Sequence, residues 1–264
     1  MNYKYITKDL NDLGVSTITL NRPDIHNAFN EHMIEEVIHV FDDLNNCTKT
    51  RLVVLTGEGK SFCAGADLNW MSSMVDYSME ENFEDSKKLA RMFEIINDFA
   101  KPVIGKINGH ALGGGVGLVA VCDYAITHDK AKFGFTEVRL GLIPAVISPY
   151  CINKIGESHA RAWFLSGEMF KGTKAQEVGL IHEVTTLEDY DKRVDEIIKS
   201  HLQAGPEAAV VAKELIRKVL SEDKSKLTDI TCSEIAKKRI SKEGQEGMKA
   251  LLNKTKPKWM QNEN

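Results

Sequence analysis

Two stretches of small residues could do chemistry with the backbone itself. The first is Lys60-Ser-Phe-Cys-Ala-Gly-Ala-Asp-Leu-Asn-Trp-Met71. The second is Ile107-Asn-Gly-His-Ala-Leu-Gly-Gly-Gly115, which continues as Val-Gly-Leu118 and places five glycines between 109 and 118. Each follows a short apolar run of strand type, and the second leads into an apolar segment of helical type. Where side chains are small, backbone N–H groups can approach a ligand, and a helix start adds a field that favours negative charge. Two such donors converging on one point form an oxyanion hole, which stabilises charge developing on a carbonyl oxygen.

Two other readings of these glycines fail on spacing. Gly59-Lys60-Ser61 after a strand invites a phosphate-binding loop, but that motif needs glycine at position 54, where Val54 stands. A dinucleotide fingerprint through Gly113 and Gly115 needs glycine at 118, where Leu118 stands. Close helix packing remains open as a purely structural use of the run. The five cysteines (Cys47, Cys63, Cys122, Cys151 and Cys232) are odd in number and scattered, which predicts free thiols and no zinc site.

The elements that must carry these loops alternate. Val15–Asn21 reads as a strand, and Asn30 as the cap of a helix bearing Ile34, Val37, Ile38, Phe41 and Leu44. Leu52–Thr56 reads as a buried strand, 80–99 as an amphipathic helix, and Pro102–Ile107 as a third strand. Leu118–Cys122 reads as a buried helix and Tyr124–Thr127 as a further strand. Strand–helix–strand alternation predicts crossover units and a mainly parallel sheet. Beyond Pro149 the strand signals fade, and helices are expected from Ser158 through Leu252, broken at Gly167, Gly179 and Gly205-Pro206.

Size and charge bound the rest. With 264 residues, 42% apolar and 27% charged, the chain can bury a large core as one large or two small domains. Its net charge of −4 gives no field for nucleic acid or an anionic membrane, so neither is an expected partner. The N-terminal residues lack an apolar core of signal-peptide length and no stretch is long enough to span a bilayer, which points to the cytoplasm.

Motifs along nearly the whole chain resemble the enoyl-CoA hydratase/isomerase (crotonase) superfamily. They are Asn21-Arg-Pro23 with Asn27-Ala28, Phe62-Cys-Ala-Gly-Ala-Asp67, Asn108-Gly through Gly115, Cys122-Asp123, and Phe133-Gly-Phe-Thr-Glu-Val-Arg-Leu-Gly-Leu-Ile-Pro144. Thr173–Leu180, Glu243–Met248 and Lys256–Trp259 continue the resemblance. Ala64–Met71 and Ile143–Pro149 are most similar to the bacterial methylglutaconyl-CoA hydratase branch, which works in leucine and acyclic-terpene breakdown.

The resemblance implies an α/β fold, a crotonase-type spiral of ββα units over residues 1–200. A helical C-terminal region, 201–264, would then form trimers, often paired into hexamers. It implies an acyl-CoA thioester as partner and no separate cofactor or metal, since coenzyme A is part of the substrate. The thioester carbonyl would accept from the Ala66 and Gly114 N–H groups. Ala64, Asp67, Leu68 and Asn69 would follow the pantetheine arm, Ile25, His26 and Ala28 the nucleotide end, and Trp70 would wall the acyl pocket with Gly113 and Gly117 beside it.

Glu137 would carry the proton. Hydratases of this family usually hold a second glutamate two residues after the triple glycine, and here that place is Gly117. A single carboxylate is the pattern of the family's double-bond isomerases, yet the methylglutaconyl-type branch also has a small residue there. Hydration of a 2-enoyl thioester, such as methylglutaconyl-CoA or another branched enoyl-CoA, is therefore the primary reading, with Δ3,Δ2-isomerisation as the alternative. Gly117 is expected to leave room for a bulky acyl group. A non-catalytic RNA-binding role is a third reading, resting on Lys237-Lys-Arg239 and Lys254–Lys258, which the net charge disfavours.

Overall fold

A computed structural model describes residues 3–261. Among these, strands β1 (Ile6–Leu10), β2 (Val15–Leu20), β3 (Leu52–Gly57), β5 (Val103–Ile107), β7 (Tyr124–His128) and β10 (Glu183–Thr185) form one sheet in the order β1-β2-β3-β5-β7-β10. Strands β4 (Ser61–Cys63), β6 (His110–Leu112), β8 (Lys132–Gly134) and β9 (Met169–Lys171) form a second sheet in the order β4-β6-β8-β9. The outer strands β1 and β9 pair antiparallel, and the other pairings are parallel. Consecutive strands β3 and β4, β5 and β6, β7 and β8 each send one member to each sheet, so the chain winds as a spiral.

The helices that close each turn follow from local sequence. Helix α1 (Glu31–Asn46) starts where Asn30 accepts from the Met33 N–H, and it buries Met33, Ile34, Val37, Val40, Phe41 and Leu44. The short α2 (Leu68–Ser73) follows, and then the long α3 (Met79–Asn97), whose Ser78–Glu81 capping box satisfies first-turn donors. The glycine run starts α4 (Gly114–Ala120), four residues earlier than the apolar pattern suggests. Then come α5 (Ser148–Phe164), which breaks at Gly156, and α6 (Gly172–Glu177).

Helix α7 (Tyr190–Leu202) buries Tyr190, Val194, Ile197 and Leu202 against Val54, Ile104 and Ile126, the far face of the larger sheet. Beyond it, α8 (Pro206–Ser221) and α9 (Leu227–Ile240) bury no residue completely, and α10 (Lys242–Leu252) buries only Ala250. Lys213 of α8 reaches Asp123 at 2.7 Å, and the same carboxylate accepts from the Val103 N–H. Lys237 and Lys238 pair with Glu234, Glu207 and Glu243, so both lysines of that basic run are engaged in intramolecular ion pairs. No helix among the described residues is long and apolar enough to cross a membrane.

Strands β9 and β10 correct the expectation of helices alone beyond Ser158, and α5 begins ten residues before that point. The strands that sequence periodicity misses are three residues long or, like β1, bury only one side chain, so no alternation develops. Gly167 and Gly179 do fall in connections with positive φ, and Pro206 starts α8.

The turn that enters this frame is built around Asn27, fully buried with a φ of 55°. Its side chain accepts from the Arg22 N–H and donates to the carbonyls of Glu58 and Ser61. Asparagine tolerates the left-handed region better than most residues, and here it also fills three hydrogen-bond needs. Asn27→Ala should destabilise the protein by about 1–3 kcal/mol, the cost of leaving buried polar groups unpaired, as read by denaturant unfolding.

Candidate active site

The parallel pairing of β4 with β6, with Ser61 opposite His110 and Cys63 opposite Ala111, ends both strands on the same side. The loops 64–67 and 113–114 therefore lie side by side. A Cβ on Gly65 would stand 2.9 Å from the Leu112 carbonyl and 3.5 Å from the Gly114 nitrogen. Among the described residues, the N–H groups of Ala66 and Gly114 meet no protein acceptor. Both residues are half-buried.

Segment 26–29 runs along loop 64–67 and holds it. Ala64 N–H donates to His26 O at 3.0 Å, Phe29 N–H to Gly65 O at 2.8 Å, and Asp67 N–H to Phe29 O at 2.9 Å. Asp67 then caps α2 through the Asn69 N–H at 2.7 Å and pairs with Arg22 at 2.6 Å. Arg22 also donates to the Ala28 carbonyl. Burial alone would push the Asp67 carboxyl up, but the Asn69 N–H and the Arg22 guanidinium outweigh it and hold it below the ordinary value. Under the donor loop lies an aromatic layer: the Phe29 ring covers Gly114, leaving no space for a side chain there, and Trp70 packs edge-on to Phe29 at 6.1 Å.

Glu137 opens the 3-10 turn Thr136–Leu140 that follows β8. Phe135 before it is fully buried against Phe164, centroids 4.6 Å apart, which anchors the turn. The carboxylate lies beside Gly113, where a Cβ would stand 3.3 Å from Oε1. Gly113 itself has φ 50° and ψ −126°, a conformation open to glycine alone. Burial raises the Glu137 pKa above its ordinary 4.5, and Oε2 is buried with no partner among the described residues. A desolvated carboxylate with a free oxygen, next to two unpaired N–H donors, can move a proton at a carbon whose neighbouring oxygen those donors hold.

The structure divides the expected site residues into two groups. Ala66, Gly114 and Glu137 converge, with Ala64, Leu68 and Asn69 on the same rim and Ile25 and His26 exposed at the outer end of the track. Ala28, Asp67, Trp70 and Gly113 are buried framework, and their polar groups are already bonded within the protein. Gly117 corrects an expectation. It opens no space, because Ile147 Cγ2 occupies the place a side chain would take and Phe93 Cε1 stands 2.9 Å from it. Sequence reasoning also missed Arg22, Asn27 and Phe29 as supports of the donor loop. Arg22 and Asn27 stood within recognised motifs, but only the fold shows what they hold.

The chain matches known proteins over most of its length. Residues 11–262 match the family model described as enoyl-CoA hydratase/isomerase. The chain is 30% identical over 253 residues to 2,3-dehydroadipyl-CoA hydratase of Escherichia coli, covering 92% of this chain and 94% of that protein. It is also 30% identical to a short-chain-enoyl-CoA hydratase of Clostridium acetobutylicum, over 79% and 80% of the two chains. An enoyl-CoA hydratase crystal structure from Shewanella pealeana superimposes with a TM-score of 0.92 at 38% identity, over 97% of this chain and 96% of that one.

The Asp67 clamp gives a pH prediction. Its folded pKa lies below the ordinary 3.8, so its stabilisation is present above that value and is lost as pH falls through the lower folded pKa. Asp67→Asn should lower Tm at neutral pH and flatten the fall of Tm on acidification. An unchanged acid profile in thermal unfolding would remove the clamp from the account.

Proposed function

Because the chain belongs to the enoyl-CoA hydratase/isomerase family, we propose that it adds water across the 2,3 double bond of a short, branched enoyl-CoA thioester, with methylglutaconyl-CoA as an example. The observation that carries this reading is the buried, half-unpartnered Glu137 carboxylate beside two free backbone donors. The Ala66 and Gly114 N–H groups hold the thioester oxygen. Glu137 takes a proton from a water as its oxygen adds at C3, the electron pair moves through C2 onto the thioester oxygen, and the enolate collapses as Glu137 returns the proton to C2. Loss of one oxyanion donor typically costs about 10²–10³ in rate. Coenzyme A enters and leaves as part of the substrate, and the chemistry asks for no further cofactor.

A second reading rests on Gly117. With one carboxylate the same site can take a proton from C2 of a 3-enoyl thioester and return it at C4, which is isomerisation. Turnover of paired 2-enoyl- and 3-enoyl-CoA thioesters by the wild type separates the two: water addition supports the hydratase, and exclusive 3-enoyl to 2-enoyl conversion the isomerase.

Either chemistry makes Glu137→Gln informative. Turnover should fall by about 10²–10⁴, the usual share of general acid–base catalysis, with little change in substrate affinity. Since burial raises the Glu137 pKa, its basic form appears only above the ordinary 4.5, and wild-type kcat/KM should rise with pH through a midpoint above that value. The variant should lose this limb. It should also be at least as stable as the wild type at neutral pH, because an ionised buried carboxylate is replaced by a neutral isostere.

The reading extends to assembly. Residues 201–264 form the oligomerisation region of a trimer or hexamer, supported by Ile235, Ile240, Met248, Leu251 and Leu252, all exposed on α9 and α10. Light scattering at micromolar concentration should give at least a trimeric mass, and a monomer would overturn this part.

A further inference from the structure

Gly117 and Ile147 are thirty residues apart in sequence and in contact in space. Gly117 lies one turn into α4, and Gly113, four residues earlier, is the non-helical residue that precedes the helix at φ 50°. The side-chain position of Gly113 meets the Glu137 carboxylate, and that of Gly117 meets Ile147. Ile147, the residue before α5, is 3% exposed and packed on Gly117. Ala145 N–H donates to Ile143 O, Ser148 Oγ to Ala145 O, and Cys151 N–H to Ile147 O, so the residue belongs to a fixed turn at the start of α5. Cys151, one turn further on, is buried and also close to Glu137.

We propose that Ile147 is the specificity-determining residue of the acyl site: its side chain forms the wall behind the reacting carbons and takes the volume that a second carboxylate at position 117 would need. This deepens the enoyl-thioester reading and rests on it. The wall is aliphatic on Ile147 and aromatic on Phe93, so it offers the acyl group no charge and no hydrogen bond. It also stops a straight chain from continuing past Glu137. The substrate class that fits is a short enoyl group, apolar on the side turned to Ile147.

Two measurements test the assignment. The first compares kcat/KM for eight-carbon and four-carbon straight-chain 2-enoyl-CoA thioesters. Ile147→Ala should raise that ratio by about tenfold or more, the usual discrimination per added methylene in an apolar pocket. Ile147→Val should raise it by less, which also covers the case that the alanine variant folds poorly. Calorimetric Kd values for octanoyl-CoA and butanoyl-CoA should shift in the same direction, without any chemistry taking place. A ratio unchanged in both assays would overturn the proposal, since a merely structural role would scale both substrates alike. The second measurement needs no substrate. Gly117→Glu alone should lower Tm sharply, and Gly117→Glu with Ile147→Gly should recover most of the loss, a coupling expected only for residues in contact. Wild-type stability for Gly117→Glu alone would overturn the volume argument. A wild type inactive on every enoyl thioester would defeat the functional reading while leaving this stability cycle to be judged separately.

Discussion

A parallel pairing only three residues long, Ser61–Cys63 against His110–Leu112, places the Ala66 and Gly114 N–H groups next to each other. Such a strip is weak by itself, since short strands gain little from their own ladder. It persists because larger structures hold both ends. Phe62 and Ala111 are fully buried between the sheets, and the 26–29 segment is laced to the following loop by alternating backbone bonds. Shifting β4 by one residue would exchange the faces on which the buried Ser61, Phe62 and Cys63 pack and carry the Ala66 N–H away from Gly114.

The position of Glu137 depends on the same strip. Strand β8 extends the pairing from β6, and Glu137 is delivered by the turn that follows it. Its burial is purchased by the aromatic packing of Phe135 with Phe164 and Phe170. The glycines of α4 serve this economy of space. Gly113 admits the carboxylate, Gly114 admits the Phe29 ring beneath the donor, and Gly117 admits Ile147. Within residues 113–117 the chain thereby meets an acid, an aromatic layer and an aliphatic wall.

Charge is handled differently at the two carboxylates near the site. Asp67 is surrounded by Arg22 and a helix-start N–H, so it stays ionised and holds backbone in place. Glu137 lacks such partners, and burial raises its pKa. The two side chains differ by a single methylene, so it is environment that holds one ion-paired and leaves the other desolvated.

Much of this was legible in the residues. The spacing of Ile34, Val37, Phe41 and Leu44 after Asn30 specifies α1, and the apolar runs at 52–56 and 102–107 specify strands, because those signals are local and repeat with the element's own period. The two small-residue loops and the Phe133–Pro144 motif contain the residues that the fold brings together around Gly113 and Glu137. What the sequence could not supply were partnerships between distant positions: β4 on β6, Arg22 on Asp67, Asn27 on Ser61, and Ile147 on Gly117. A glycine reads as empty space along a chain. Whether that space stays open or is filled by another segment is decided by close packing in three dimensions, and here an isoleucine thirty residues away fills it.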